Sequence, residues 1–203
     1  MALKLGFIAS GGGTNLQAIL EGIASGTLPA KACLLVCNNS AAGAMRRASA
    51  FGMPTLHLSS HTHPDPGMLD EALSAAMEDH GAELIVCAGY NKKLGRRILQ
   101  RYQGRILNIH PSLLPKYGGQ GMYGMNVHEA VLAAHDTESG PTVHLVNEEY
   151  DRGPVVAQAR VPVLPGDTPE SLQVRVLGAE HRLYAETLRR IALGEIDLDS
   201  LKG

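Results

Sequence analysis

The amino-acid sequence predicts an α/β fold in which a mostly parallel sheet is covered by helices on both faces. Three observations lead to this prediction. Short apolar runs of strand length alternate with longer segments of helical spacing through the first half of the chain. The short runs are apolar at consecutive positions, as expected for strands that are buried on both faces. A glycine-rich turn joins the first run to the first helical segment, which is the usual arrangement in doubly wound sheets.

The first half of the chain supplies five strand-like runs with helical segments between them. The first run ends at three consecutive glycines, and leucine and isoleucine then recur at helical spacing. Parallel strands need crossover connections, so this alternation predicts a parallel sheet. The predicted strands are 3–9, 32–37, 55–58, 83–88 and 105–109, and the predicted helices are 16–23, 44–51, 68–80 and 94–102.

The second half of the chain has a different pattern. A glycine-rich loop at 116–124 leads into a predicted helix at 127–134, and two strand-like runs, 142–146 and 155–163, follow as an expected antiparallel pair. Thr168 and Pro169 then form a helix start signal, a threonine cap followed by proline at the first helical position. The fold class is therefore α/β: a Rossmann-like, doubly wound, mostly parallel sheet with an antiparallel C-terminal extension and a long C-terminal helix.

Composition limits the functions that the chain can have. Its 203 residues are 44% hydrophobic and carry a formal net charge of −2, so no overall charge attracts nucleic acid or anionic membranes. No apolar stretch approaches the roughly 20 residues that cross a bilayer, and no signal-peptide pattern follows Met1. Cys33, Cys37 and Cys87 lie in apolar runs, which predicts reduced thiols. We expect a cytoplasmic protein that binds neither nucleic acid nor membrane.

The glycine-rich turn at Ser10–Asn15 is a candidate phosphate site. Glycines let several backbone N–H groups approach an anion, and the start of the following helix adds positive potential. A tight turn in which Thr14 caps the helix would produce the same sequence, so both interpretations stay open. The candidate phosphate contacts are Gly12, Gly13, Thr14 and Asn15.

Two better-known phosphate motifs do not fit this turn. A dinucleotide fingerprint needs glycine where the chain has Leu16, and an acidic residue near the end of the second strand, where Asn38 and Asn39 stand. A P-loop needs a Gly-Lys-Ser/Thr sequence, which the turn lacks. A single phosphate remains as the ligand. Asn38 is either a ribose contact or a turn residue.

Asn108 and His110 are the candidate chemical groups. They alternate with Ile109 at the carboxyl end of the fifth predicted strand, so both project from one face at the edge where open α/β sheets bind ligands. A hydrogen-bond network at a strand end would explain the same pattern without catalysis. The bond Leu114–Pro115, just beyond, is a candidate cis peptide.

The segment Asn108–Tyr117, which reads NIHPSLLPKY, resembles the central motif of the folate-dependent formyltransferases. Ser10–Gln17 resembles the phosphate loop of the members that act on glycinamide ribonucleotide. Gly140–His144 and Tyr150–Pro154 match the family as well. The resemblance extends along essentially the whole chain, in the same order and at the usual single-domain length.

The resemblance implies an enzyme of de novo purine biosynthesis that transfers formyl from 10-formyltetrahydrofolate to the amine of glycinamide ribonucleotide. The attack is direct, with neither a metal nor an acyl-enzyme. Asn108 and His110 would stabilise the oxyanion, and Asp151 would keep His110 charged and help to relay the proton. By residue pattern alone, Asp151 is equally a turn residue before Gly153.

The same resemblance implies the ligand contacts and a division of the single domain, 1–203. A nucleotide-phosphate half covers about 1–104, and a catalytic and folate half covers about 105–203. Glu180 would contact the ribonucleotide, although an exposed helical charge gives the same pattern. His144 would be a neighbour of the site, and loop 116–124 a lid over the folate. The implied folate contacts are Tyr90, Asn91, Lys92, Lys93, Leu94, Asn108, Val143 and Asp151.

The chain departs from the family at two places. Familiar members read Gly-Phe-Met-Arg where this chain has Gly89-Tyr90-Asn91-Lys92, and loop 116–124 is longer and richer in glycine, with His128 the only histidine in the matching region. Ser112 lacks the context of a nucleophilic serine, and His61 with His63 lacks a third metal ligand.

Other functions remain open. They are a formyltransferase acting on methionyl-tRNA or a nucleotide sugar, a formyltetrahydrofolate deformylase, and a non-catalytic nucleotide-binding module. The tRNA enzyme should bring a further C-terminal domain and a basic surface, and the deformylase a regulatory N-terminal domain. We expect a monomer or weak homodimer.

Overall fold

A computed structural model describes residues 2–201, and the predicted alternation of strands and helices is confirmed there. The strands are β1 (Leu3–Ala9), β2 (Ala30–Cys37), β3 (Thr55–His57), β4 (Leu84–Cys87), β5 (Ile106–His110), β6 (Glu138–Ser139), β7 (Thr142–Leu145), β8 (Val155–Gln158) and β9 (Val161–Pro162). The helices are α1 (Thr14–Ala24), α2 (Gly43–Ala50), α3 (Pro66–Asp79), α4 (Arg96–Arg101), α5 (Met125–Ala133) and α6 (Pro169–Ala192), followed by a short 3₁₀ helix, Leu198–Leu201.

The main sheet has seven strands in the order β3-β2-β1-β4-β5-β7-β8. The first five are parallel, and β7 and β8 run antiparallel to their neighbours. This is the Rossmann-like, mostly parallel sheet with an antiparallel extension that the sequence predicts. From β1 the chain builds the sheet first towards β3 and then towards β5, so the strand order reverses between β1 and β4. Ligands of such sheets bind at this reversal, beyond the carboxyl ends of the strands.

Two apolar layers cover the two faces of the sheet. Along β1 the side chain of Phe7 belongs to the layer formed with α1 and α6, and that of Ile8 to the layer formed with α3 and α4. Tyr184 of α6 is fully buried, and its hydroxyl donates to the carbonyls of Cys87 (3.2 Å) and Leu107 (2.9 Å). The long C-terminal helix is thereby bonded to the end of β4 and to β5, the strand that carries Asn108 and His110.

The predicted strand at 155–163 is wrong as a single element. It divides at Ala159 into β8, which pairs with β7, and β9, which pairs with β6 in a separate two-stranded sheet. A side chain at Gly140 would come within 1.9 Å of the Ala159 carbonyl oxygen, so the two segments cross in close contact there. Strand β6 has no counterpart among the strands predicted from the sequence.

The start of α6 agrees with the sequence. The Thr168 hydroxyl accepts from the Ser171 backbone N–H at 3.3 Å, the Ser171 hydroxyl accepts in turn from Thr168 N–H, and Pro169 is the first helical residue. Such a reciprocal cap satisfies two backbone donors that a helix start leaves open.

All three cysteines are free and buried. Burial raises the pKa of the Cys87 thiol to about 12. Among residues 2–201, the structure contains no helix that is both long and apolar enough to cross a membrane.

Candidate active site

Strands β5 and β7 bring the candidate chemical groups together. Asn108 lies opposite His144, and His110 lies opposite Thr142, in the antiparallel register. Because side chains alternate along a strand, Asn108 and His110 share one face, as the sequence predicts. Both histidines are buried, whereas Asn108 is half-buried. The peptide bond Leu114–Pro115, just beyond β5, is cis, as expected.

The carboxylate of Asp151 lies between the two histidines. Asp151 Oδ2 is 3.4 Å from His110 Nδ1, and Asp151 Oδ1 is 3.5 Å from His144 Nε2. Asp151 itself has a left-handed backbone conformation with φ 55°. The structure thus brings together Asn108, His110 and Asp151, and His144, expected near the site, lies directly beside Asp151.

His144 lies between Asn108 and Asp151. Its Nδ1 is 2.9 Å from the Leu145 carbonyl, which only accepts, so Nδ1 carries a proton. Its Nε2 is 3.1 Å from Asn108 Nδ2 and 3.5 Å from Asp151 Oδ1. The Asn108 amide at this position can offer an N–H group to a developing negative charge.

Burial and charge act in opposite directions on His110. Burial lowers the pKa of the imidazole, while Asp151 and the Tyr117 carbonyl raise it, and the net direction is downward. Asp151 thus favours the charged form of His110, as expected from the sequence, but burial has the larger effect on the pKa. Burial disfavours ionisation of Asp151, yet its contacts with His144, His110 and the Gly119 N–H together hold its pKa below the ordinary value.

A short segment after β5 closes over these groups. His110 Nε2 donates to the Tyr117 carbonyl at 2.7 Å, and Gly119 N–H donates to Asp151 Oδ2 at 2.9 Å. Tyr117 has a left-handed φ of 55°, and a side chain at Gly118 would lie 2.6 Å from Leu114. Both nitrogens of His110 therefore face protein acceptors in this conformation.

The glycine turn forms an open helix start. Gly13 is the N-cap of α1 with φ 73°, and no side chain caps the helix, so the interpretation in which Thr14 caps it is wrong. The turn packs closely on α2, because a side chain at Gly43 would lie 2.7 Å from the Gly12 carbonyl oxygen. The first backbone N–H groups of α1 lack a side-chain acceptor, which is the condition for binding an anion there.

Arg47 is a neighbour of this turn that the sequence analysis misses. Its Nε donates to the Gly12 carbonyl at 2.9 Å, and its Nη1 donates to Gln17 Oε1 at 3.3 Å. The only available signal was a basic residue on the helix that follows the second strand, which is too common to be informative.

Asn15 and Glu180 form a buried pair behind the glycine turn. Asn15 Nδ2 donates to Glu180 Oε2 at 2.7 Å, although the two residues are 165 positions apart. Glu180 is only 9% exposed, so its interpretation as an exposed helical charge is wrong. Burial raises the pKa of its carboxyl group, and the Asn15 bond opposes that rise. Asn15 Oδ1 is buried without a hydrogen-bond partner among the residues that the structure describes.

The residues expected to contact the folate occupy different environments. Lys92 and Lys93 are exposed, and Lys93 Nζ lies 5.7 Å from the centre of the Tyr150 ring. Leu94 is buried in the second apolar layer, against which the half-buried Tyr90 also packs. Val143 is fully buried in the first apolar layer, between β5 and β8, and is the least accessible of these residues.

Three further features of the sequence can be compared with the structure. The fully buried Ser112 donates its hydroxyl to the Lys116 carbonyl at 2.6 Å, which holds the turn after β5. No group of three or more His, Cys, Asp or Glu side chains within residues 2–201 is arranged to hold a metal ion. His128, in the region that departs from the family, is buried on α5, and its Nδ1 lacks a partner among the residues covered by the structure.

Comparisons with known proteins show the family to which the chain belongs. A model of the formyl transferase family matches residues 3–188. The chain is 42% identical to the chloroplastic phosphoribosylglycinamide formyltransferase of Arabidopsis thaliana over 93% of its own length, and 37% identical to the phosphoribosylglycinamide formyltransferase of Haemophilus influenzae over 96%. It spans 90% of the Haemophilus protein, but only 65% of the Arabidopsis protein and 60% of the corresponding protein of Vigna unguiculata.

Solved structures of related enzymes superpose on the chain. Glycinamide ribonucleotide transformylase 1 of Symbiobacterium toebii superposes with a TM-score of 0.89 at 37% identity, covering 95% of this chain and 89% of the other. A formyltetrahydrofolate deformylase of Pseudomonas syringae has a TM-score of 0.84 at 22% identity, covering 96% of this chain and 62% of the other, and shares the fold.

Proposed function

The chain belongs to the formyl transferase family, and on that premise we propose that it transfers a formyl group from 10-formyltetrahydrofolate to the amine of glycinamide ribonucleotide. This reaction is a step of purine biosynthesis, consistent with the names of its relatives. The observation that carries the proposal is the cluster of Asn108, His110 and Asp151 at the carboxyl end of β5, beside an uncapped glycine turn.

The glycine turn would bind the phosphate group of the acceptor. A phosphate bound by the N–H groups of Gly12, Gly13, Thr14 and Asn15 would lie at the positive end of α1. Strand β4 separates β1 from β5, and neighbouring strands are about 4.8 Å apart, so the phosphate site and Asn108 are roughly 10 Å apart. A sugar phosphate with a short amide arm can span this distance and present its amine to the catalytic group.

The cluster has the groups that formyl transfer requires. The amine nitrogen attacks the formyl carbon, a new C–N bond forms, and the carbonyl oxygen becomes an oxyanion. An N–H of the Asn108 amide and the Nε2–H of His110, turned from the Tyr117 carbonyl, would stabilise that charge. Asp151 favours the protonated imidazole as the oxyanion develops. The bond to the folate nitrogen then breaks, and that nitrogen takes up a proton as the amine loses one, so no proton is gained or lost overall.

The folate would enter from the side of Lys92, Lys93 and Leu94. Lys92 and Lys93 offer exposed positive charge to its carboxylates, and loop 116–124 would close over its ring system. Tyr123 in this loop is 70% exposed, so a large aromatic surface is available for such contact.

Purified protein incubated with 10-formyltetrahydrofolate, with and without glycinamide ribonucleotide, tests the proposal. We expect folate turnover only when both are present, with formylated ribonucleotide as the product. Folate turnover that ignores the ribonucleotide would indicate a deformylase, and absence of turnover in both mixtures would reject the enzyme.

Asn108→Ala tests the chemical assignment. We expect kcat to fall by about 10²–10³-fold, because one donor to the oxyanion is lost, while the KM values change little. Asn39→Ala, which removes an exposed amide at the end of β2, is the matched control and should keep the wild-type kcat. Equal rates for the Asn108 variant and wild type would contradict the assignment.

A further inference from the structure

The sheet order determines which strand ends the sugar must cross. If the phosphate binds after β1 and the amine reacts at β5, the sugar lies over the ends of β1 and β4. Residues 88–91, directly after β4, are therefore next to the sugar. The inference that follows rests on the proposed function, because it takes both end points from it.

A polar cluster joins three strand ends at this place. Asn91 Oδ1 accepts from the Ser10 hydroxyl at 2.8 Å and from Asn38 Nδ2 at 3.1 Å. The Asn91 backbone N–H donates to the same hydroxyl at 3.0 Å. Ser10 begins the glycine turn, Asn38 follows β2, and Asn91 follows β4. The Asn91 side chain therefore reaches across β1, towards the phosphate site.

These bonds leave one acceptor and one donor unused on the side-chain amides of Asn38 and Asn91. Asn38 Oδ1 is an acceptor and Asn91 Nδ2 is a donor, and neither has a hydrogen-bond partner among residues 2–201. Asn91 is exposed and Asn38 is half-buried, so the pair is open to solvent. If the oxygen and nitrogen positions were exchanged in both side-chain amides, the two unused groups would still be one donor and one acceptor.

A hydroxyl group is the ligand that such a pair fits, because it donates one hydrogen bond and accepts another. We propose that Asn38 and Asn91 together bind a ribose hydroxyl of the acceptor and make the enzyme specific for the ribose. This assigns Asn91 to the sugar, and not to the folate as the family resemblance implies. The amide stands where familiar members have methionine, which could not supply this pair.

The test compares the ribonucleotide with its 2′-deoxy and 3′-deoxy analogues as acceptors. For one of the two analogues, we expect wild-type kcat/KM to fall about tenfold through KM, as for the loss of one neutral hydrogen bond. Asn91→Leu should bring the ratio of kcat/KM for the natural acceptor to kcat/KM for that analogue towards one. We expect little change of kcat on the natural acceptor and no change of the KM for folate. Asn91→Asp, which keeps the acceptor for Ser10 and Asn38 but loses the free donor, should bring that ratio towards one as well.

Asn39→Ala is again the matched control and should keep the full discrimination, and thermal unfolding of every variant verifies folding. Discrimination that is unchanged in both Asn91 variants, or absent from the wild type, would overturn the inference while leaving formyl transfer intact. A wild type that transfers no formyl to any acceptor would reject the proposed function itself, and the inference with it.

Discussion

At the scale of single residues, Asp151 connects both buried histidines of the site with the segment that follows β5. Its two carboxylate oxygens face His110 and His144, and the Gly119 N–H donates to one of them. The alternation of Asn108 and His110 along β5 could be predicted because strand periodicity is local. The position of Asp151 could not, because it depends on a left-handed turn far along the chain, and neither residue type nor spacing specifies that turn.

Asp151→Asn should change the pH dependence of the reaction. Asp151 raises the pKa of His110, so removing its charge lets burial lower that pKa further. If transfer needs protonated His110, the descending limb of the kcat profile moves to lower pH, and the rate near neutrality falls. Steady-state rates across the pH range measure this shift, and Asp79→Asn, at the exposed end of α3, is the control. A lower rate with an unmoved limb would show that His110 does not act as a cation.

Glu180→Gln should change how stability depends on pH. Burial raises the pKa of Glu180, so the folded protein holds this proton more tightly than the unfolded chain. Wild-type stability contributed by this group therefore falls as pH rises from the unfolded value towards the raised one. We expect the variant to gain stability relative to wild type as pH rises above the ordinary glutamate pKa of about 4.3, measured by urea unfolding. The exposed Glu129→Gln is the control, and a stability difference that does not vary with pH would contradict the prediction.

At the scale of elements, periodicity predicts the helices and the parallel strands, with bounds that differ by one to a few residues. The exception is 155–163, where the apolar pattern continues through Ala159 although the chain leaves the main sheet. The cause is the close crossing with Gly140, a contact between distant segments that no local pattern records. The tight glycine turn, in contrast, could be predicted from its own residues, because three consecutive glycines allow the positive φ seen at Gly13.

Gly13→Ala should damage both stability and phosphate binding. Residue 13 has φ 73°, and a Cβ there would lie 2.7 Å from the Ala44 Cα. We expect a loss of about 1–3 kcal/mol in unfolding free energy and a raised KM for the ribonucleotide, because the turn must move away from α2. Gly22→Ala, within α1 and in ordinary contact with Leu28, should instead be neutral or stabilise by up to about 1 kcal/mol. A Gly13 variant equal to wild type in both measurements would refute this account of the turn.

At the scale of the whole molecule, one apolar layer extends through both of the expected halves of the chain. It contains Leu5 and Leu16 from the first half, and Leu107, Val143 and Tyr184 from the second. Sequence patterns identify these residues as apolar but not as neighbours, because strand order is set by long-range pairing. We therefore propose that the chain unfolds as one unit.

Tyr184→Phe tests whether the chain unfolds as one unit. The Tyr184 hydroxyl donates to carbonyls of β4 and β5, on either side of the expected boundary, so its removal should cost about 0.5–1.5 kcal/mol. Urea unfolding followed by far-UV and near-UV circular dichroism should remain a single, coincident transition at lower urea concentration. Tyr150→Phe, on a side chain that is 46% exposed, is the control. Separate transitions for the two signals would reveal an intermediate and contradict unfolding as one unit.

Reaction of the buried cysteines can report local opening of the sheet. All three thiols are buried within β2 and β4, the strands on either side of β1, and high pKa values leave little of the reactive thiolate at neutral pH. A thiol reagent can therefore modify the folded chain only when this central part of the sheet opens. The labelling rate then measures how often that opening occurs, and a ligand bound across the strand ends slows it without any engineered probe.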